Sequence, residues 1–122
     1  MNVLLGIGGT DDSLYALSEV VERTKATGDT LTIAILDNPE SDRAADAIER
    51  RVRDVIEEYG VEASIEHLSG HPGSKLVELA DSGEFDRVVL GGGQRSPMGK
   101  INLGSISEFV LLNSRTSVTL IR

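Results

Sequence analysis

The chain has 122 residues, 39% of them hydrophobic and 26% charged, which suffices for one domain with its own buried core. It carries no cysteine, two histidines and no tryptophan, which excludes a disulfide scaffold, a thiol nucleophile, a cysteine-based metal site and a His-rich metal centre, and argues against base-stacking platforms. A formal net charge of −8 repels nucleic acid and anionic lipid; with no apolar run near the ~20 residues of a membrane span and no basic leader at the N-terminus, a cytoplasmic protein is expected.

In chain order, residues 3–7 form a short apolar run closed by Gly8-Gly9, the pattern of a strand buried on both faces. Thr10, Asp11, Asp12 and Ser13 supply N-cap choices for a helix with Leu14, Leu17, Val20, Val21 and Thr24 on one side, ended by Gly28. Residues 31–36 read as a second buried strand closed by Asp37-Asn38-Pro39. From 41 to 59, Ala45, Ile48, Val52, Val55, Ile56 and Tyr59 make one stripe on a strongly charged helix that stops at Gly60. Residues 61–68 alternate Val61, Ala63 and Ile65 with Glu62, Ser64 and Glu66, the mark of a half-exposed edge strand. The turn at 70–73 places Pro72 near the start of a short helix with Leu76, Leu79 and Ala80. Residues 87–90 give a fourth strand, 104–112 a fourth helix with Ile106, Phe109 and Val110 inward, and 117–121 a last strand.

Strands alternating with helices predict a single-domain, doubly wound α/β fold: a parallel five-stranded sheet with helices on both faces. In such sheets ligands bind beyond the carboxyl ends of the strands at the switch point, which for the order 3-2-1-4-5 lies between strands 1 and 4. The chain's two glycine-rich turns follow those two strands. Charge supports the second turn: residues 1–86 hold 19 acids and 7 bases, whereas 87–122 hold one acid, Glu108, and five bases. A strand, three glycines at 91–93 and a helix start at Gly104-Ser105 together present backbone N–H groups suited to a phosphate.

Gly91, two residues, Gln94, nine residues and Gly104-Ser105 keep the spacing of the nucleotide-binding signature of the universal stress protein family. Residues 3–13, the Gly70-His71-Pro72 turn and residues 86–91 are similar to that family's first strand and turn, its third-helix turn and its fourth strand. The resemblance covers the whole chain and implies a Rossmann-like domain, of the adenine nucleotide alpha hydrolase-like kind, over residues 1–122. It implies a stress-response or regulatory protein that holds ATP or a related adenine nucleotide without fast catalysis. Gly91, Gly104, Ser105 and Ile106 would line the phosphates, Ile35 would pack against the base, and Gly8 and Thr10 would border the ribose, with Gly9 between them also counted as a binding residue. Gly8 stands where nucleotide-binding members usually carry an acid, and Gln94 where they carry a second loop glycine. Gln94 offers a side-chain amide instead, Gly92 and Gly93 the flexibility one step earlier, and Arg95 and Lys100 charge-assisted donors. The resemblance also implies a homodimer through the apolar last strand, residues 116–122.

Other readings of these residues differ in class. A non-nucleotide interaction module, using the acidic face and the dimer edge, is the alternative function. Asp11 and Asp12 could hold Mg²⁺ as in receiver domains, but no Asp follows the third strand and no Lys the fifth; capping and the helix dipole explain them more simply. His71 lies on the ligand side of the sheet as a turn histidine, and His67 has no partner evident from the sequence. Gly99-Lys100 lacks Walker A spacing, and no Ser–His–Asp arrangement is indicated. No catalytic or metal residue is therefore assigned.

Overall fold

Apolar β-branched and leucine runs make the central strands: β1 (Asn2–Ile7), β2 (Thr30–Leu36) and β4 (Arg87–Gly91) are buried on both faces along most of their length. The structure, a computed structural model, describes residues 1–39, 41–92, 94–95 and 101–122, with the backbone alone for 94–95 and 101–102. β3 (Ala63–Leu68) and β7 (Ser117–Ile121) complete a parallel sheet in the order β3-β2-β1-β4-β7. That is the expected order, 3-2-1-4-5. Not expected from the apolar pattern are β5 (Gln94–Arg95) and β6 (Ile101–Asn102), an antiparallel pair inserted after β4.

Four helices cover the sheet: α1 (Asp11–Thr27), α2 (Ala45–Tyr59), α3 (Pro72–Ala80) and α4 (Ser105–Asn113). The two-residue period of each strand sends its side chains alternately into two cores. Leu5, Ile7, Ile33 and Ile35 pack with Leu17 and Val21 of α1 and Val52 of α2. Leu4, Leu36, Val88 and Leu90 pack with Leu76 of α3 and Val110 of α4. Each of the α1, α3 and α4 N-termini therefore lies at the carboxyl end of the sheet, where the crossovers begin.

One helix start falls on one of its expected caps, and another differs from expectation. Thr10, rather than Asp11 or Asp12, caps α1: its Oγ1 accepts from Ser13 N at 3.3 Å. α2 begins at Ala45 instead of residue 41, with Ala44 at the N-cap and no side-chain cap. Ser41 and Arg43, shortly before it, are engaged elsewhere, as the site shows. Among the edge strands, β3 alternates half-buried and exposed residues as predicted, and its His67 has a partner after all, a short contact from Nε2 to Glu49 Oε1 on α2. That hydrogen bond, followed by one from Arg53, holds the Glu49 carboxyl below its ordinary pKa.

One carboxylate fastens β7. Asp81, just past α3, accepts from the hydroxyls of Ser114 and Thr116, each at 2.8 Å, and from the amides of Arg115 at 3.1 Å and Thr116 at 3.2 Å. Partial burial alone would raise its pKa, but these hydrogen bonds together outweigh it and lower the pKa from the ordinary 3.8. The sign follows: a depressed folded pKa contributes stability above the unfolded value and loses it as pH falls below about 3.8 through the folded value. Asp81→Ala should cost about 2–3 kcal/mol in a urea titration at neutral pH, and Asp81→Asn, which keeps one acceptor oxygen, about half of that. The difference between wild type and Asp81→Asn should shrink in acid.

Candidate functional site

At the switch point, the ends of β1 and β4 diverge and leave a cleft between the first turns of α1 and α4. Gly6, Gly8, Thr10, Asp12 and Ser13 border it on the β1–α1 side, and Leu90, Gly91, Gly92 and residues 104–107 on the β4–α4 side. Leu36 and Asn38, from the end of β2, close the third side. A wider depression lies at the amino ends of β2 and β3, beside Gly28 and Gly60. There the carboxyl ends of α1 and α2 present carbonyl oxygens, which disfavour an anion. The glycine-bordered cleft is the candidate site.

The α4 end of the cleft is built for a negative charge. Gly104, at the N-cap, has φ −67° and ψ 159° and supplies no side-chain acceptor. Among the described residues, no hydrogen-bond partner meets the amides of Ser105, Ile106 or Ser107, which a helix leaves unpaired in its first turn. The contrast with its neighbours is direct. In α1 the Thr10 hydroxyl, and in α3 the His71 ring, accept from the amide three residues on. Ser107 fixes the geometry by donating its Oγ to Gly91 O at 3.3 Å, tying the start of α4 to the end of β4.

Gly91 itself is required by packing. A Cβ there would lie 2.3 Å from the carbonyl oxygen of Asp12 and 2.8 Å from Ser13 N. The first turn of α1 thus rests directly on the β4 backbone, which brings the α1 and α4 starts to opposite walls of one cleft.

The β1–α1 turn is held by the loop after β2. Asn38 Nδ2 donates to Gly8 O at 3.0 Å, Ser41 Oγ to Gly9 O at 3.3 Å, and Arg43 Nη1 to Gly9 O at 2.5 Å. Arg43 Nη2 also pairs with Asp11 Oδ1 at 2.6 Å. Gly9 has φ +81°, and a Cβ there would lie 2.5 Å from Ser41 Oγ and 2.7 Å from Ile48 Cδ1, so glycine is needed twice over. At Gly8, a Cβ would meet Asn38 Nδ2 at 3.0 Å and Ile106 Cδ1 at 3.4 Å. Asn38 and Ile106 therefore take up space that a side chain at position 8 would use.

Of the residues expected from the sequence, the cleft brings together Gly8, Thr10, Gly91, Gly104, Ser105 and Ile106. Gly9 does not line it but shapes the turn from behind. Ile35 does not line it either: it is 1% exposed, in the core under α1 and α2, and Leu36, one residue on and facing the other way, borders the cleft. Gly93 and Lys100 lie outside the described residues, as do the side chains of Gln94 and Arg95. His71 is a capping residue: its Nδ1 accepts from Ser74 N at 3.0 Å and its ring packs on Phe109, centroids 5.1 Å apart. Asp12 is the one acid among the described lining residues, and no group of three His, Cys, Asp or Glu suited to a metal occurs among the described residues.

Asn38, Ser41 and Arg43 were not foreseen as site residues. The only signal was the Asp37-Asn38-Pro39 turn, which marks the end of a strand without saying what its side chains hold.

A family profile described as the universal stress protein family matches residues 1–122. The chain belongs to the universal stress protein family. A curated relative, universal stress protein MJ0531 of Methanocaldococcus jannaschii, is 32% identical over 73 residues, which are 60% of this chain and 43% of that protein. The match thus spans less than half the length of that relative. Among solved structures, a universal stress protein in complex with cAMP superposes with a TM-score of 0.76 at 27% identity, covering 100% of this chain and 96% of that one. A universal stress protein from Archaeoglobus fulgidus gives a TM-score of 0.76 at 23% identity over 100% and 98% of the two chains. Family membership agrees with the doubly wound sheet and with glycines at the ends of β1 and β4. No helix among the described residues is long and apolar enough to cross a membrane.

Proposed function

We propose that this universal stress protein binds an adenine nucleotide in the cleft between β1 and β4, as a regulatory ligand without fast turnover. The observation that carries the proposal is the start of α4. Its first amides have no partner among the described residues, and they face a cleft whose opposite wall is the start of α1. A phosphate there gains the free donors and the positive ends of the helix dipoles. The cAMP complex of a 27% identical family member supports an adenine nucleotide as the ligand class. ATP, AMP and a cyclic nucleotide share the phosphate chemistry the cradle reads. With one acid among the described lining residues, the cleft offers no paired carboxylates to position both a metal and an attacking water, so hydrolysis, if measured, should be slow.

Calorimetric titration of the purified protein with AMP, cAMP and ATP tests this. Saturable heat with at least one of them is the expected result. No heat and no thermal shift at millimolar concentrations of all three would overturn nucleotide binding and favour a protein-interaction role.

The assembly belongs to the same proposal. Both sheet edges are open, but they differ in kind. β3 carries Glu66 and His67 on its edge, charged or polar groups that discourage pairing. β7 is Ser-Val-Thr-Leu-Ile, with no charge, and its last four residues are half-buried. Pairing two β7 strands would close that edge as a homodimer. Light scattering on a sizing column at low micromolar concentration should give twice the 13.1 kDa of one chain; a monomer mass would refute it.

A further inference from the structure

The loop between β2 and α2 puts three side chains on one short turn, and each donates to a carbonyl oxygen of the β1–α1 turn. Asn38 holds Gly8 O, while Ser41 and Arg43 both hold Gly9 O. Every peptide bond described is trans, and in a trans peptide the C=O and N–H point in opposite directions. Drawing the Gly8 and Gly9 oxygens toward the β2–α2 loop therefore turns the amides of Gly9 and Thr10 away from it. Neither amide has a hydrogen-bond partner among the described residues. Gly8 and Thr10 border the nucleotide cleft, whereas Ser41 and Arg43 do not; those two line a separate depression with Ile48 and His67.

We infer that Arg43 is a positioning residue of the nucleotide site. Its guanidinium spans from Gly9 O at 2.5 Å to Asp11 Oδ1 at 2.6 Å, and so fixes the turn that carries the Thr10 amide at the border of the cleft. The inference rests on the nucleotide reading of the cleft. Arg43 touches no ligand in this scheme. A planar, two-pronged guanidinium can bridge a carbonyl and a carboxylate at once, which a lysine ammonium does less well and a glutamine amide, lacking charge, less well still. Arg43 is itself half-exposed and lies outside both cores, so its loss should leave global stability nearly unchanged.

The test compares wild type, Arg43→Gln and Arg43→Lys by titration with AMP, by thermal melting, and by the nitrogen–proton NMR signals of Gly9 and Thr10 without ligand. Expected are an affinity for AMP about tenfold weaker in Arg43→Gln, partial recovery in Arg43→Lys, and melting within a few degrees of wild type. The ligand-free signals of Gly9 and Thr10 should shift, and their amide exchange should quicken. Wild-type binding with equal affinity in Arg43→Gln would overturn the inference, as would unmoved Gly9 and Thr10 signals. Absence of AMP binding in the wild type would instead sink the nucleotide reading, while the ligand-free spectra would still decide whether Arg43 sets the turn.

Discussion

Replacing Gly104 by aspartate should abolish nucleotide binding while leaving the protein as stable as before, or slightly more so. A Cβ at this position meets nothing within 4 Å, and φ −67° with ψ 159° is open to any residue. The introduced carboxylate would cap α4 and accept from the amides of Ile106 or Ser107, a gain of a few tenths to about 1 kcal/mol. The same contacts consume the donors that a phosphate needs. They also place a like charge beside it, which at ~4 Å and an effective dielectric of ~20 opposes binding by about 4 kcal/mol. Affinity by calorimetry should therefore fall at least about a hundredfold, with Tm unchanged or raised. Gly104→Ala, which adds no charge, should bind within a few-fold of wild type. Undiminished affinity in the aspartate variant would move the site away from α4.

Gly91→Ala should do the reverse, attacking the fold first. The added methyl would sit 2.3 Å from the Asp12 carbonyl oxygen and 2.6 Å from its carbon, and neither belongs to a side chain that can rotate away. Relief requires the first turn of α1 to lift off β4, against the burial of Ala16, Leu17 and Val21 behind it. Overpacking of this kind costs about 3 kcal/mol, which for a domain of this size lowers Tm by roughly 10–15 °C. A melt within two or three degrees of wild type, at this level of overpacking, would mean that α1 sits more loosely on the sheet than the structure places it. The pair of variants separates two duties of signature glycines: Gly91 is small because backbone crosses it, and Gly104 lacks a side chain where a ligand would supply the cap.

Much of the fold was legible because burial imposes periodicity. Residues 3–7, 31–36 and 88–90 are mostly apolar because both faces of each strand are covered, and 61–68 alternates because β3 is an edge. The order of β and α segments then left few topologies. What escaped the sequence was local or long-range in a way that no period records. β5 and β6 have two residues each, too few to show any alternation. α2 starts at Ala45, not residue 41, because Ser41 and Arg43 are spent on Gly9, some thirty residues back in the chain. His67 finds Glu49 eighteen residues away on another element.

The site divides in the same way. Gly91, Gly104, Ser105 and Ile106 could be found because glycine and a helix start leave a mark in the sequence. Ile35 and Leu36 could not be told apart at the end of a strand apolar on both sides, since a single residue's offset decides which core each enters. The latch residues Asn38, Ser41 and Arg43 resemble any polar loop. Only the carbonyls they reach give them a role.

The hold of Asp81 on residues 114–116 has a consequence for how the molecule comes apart. β7 is tied to the rest by one neighbouring strand and by this carboxylate, whereas β1 and β2 have neighbours on both sides. As acid protonates Asp81, the last strand loses its anchor while the inner sheet keeps its own. The segment from α4 to β7 then becomes the weakest cooperative unit, the first to exchange its amides with solvent. The strand proposed to join two copies is that same strand. Only acid strong enough to protonate Asp81, below about pH 3.8, should therefore separate subunits before it melts them, and the chains so released would still be folded.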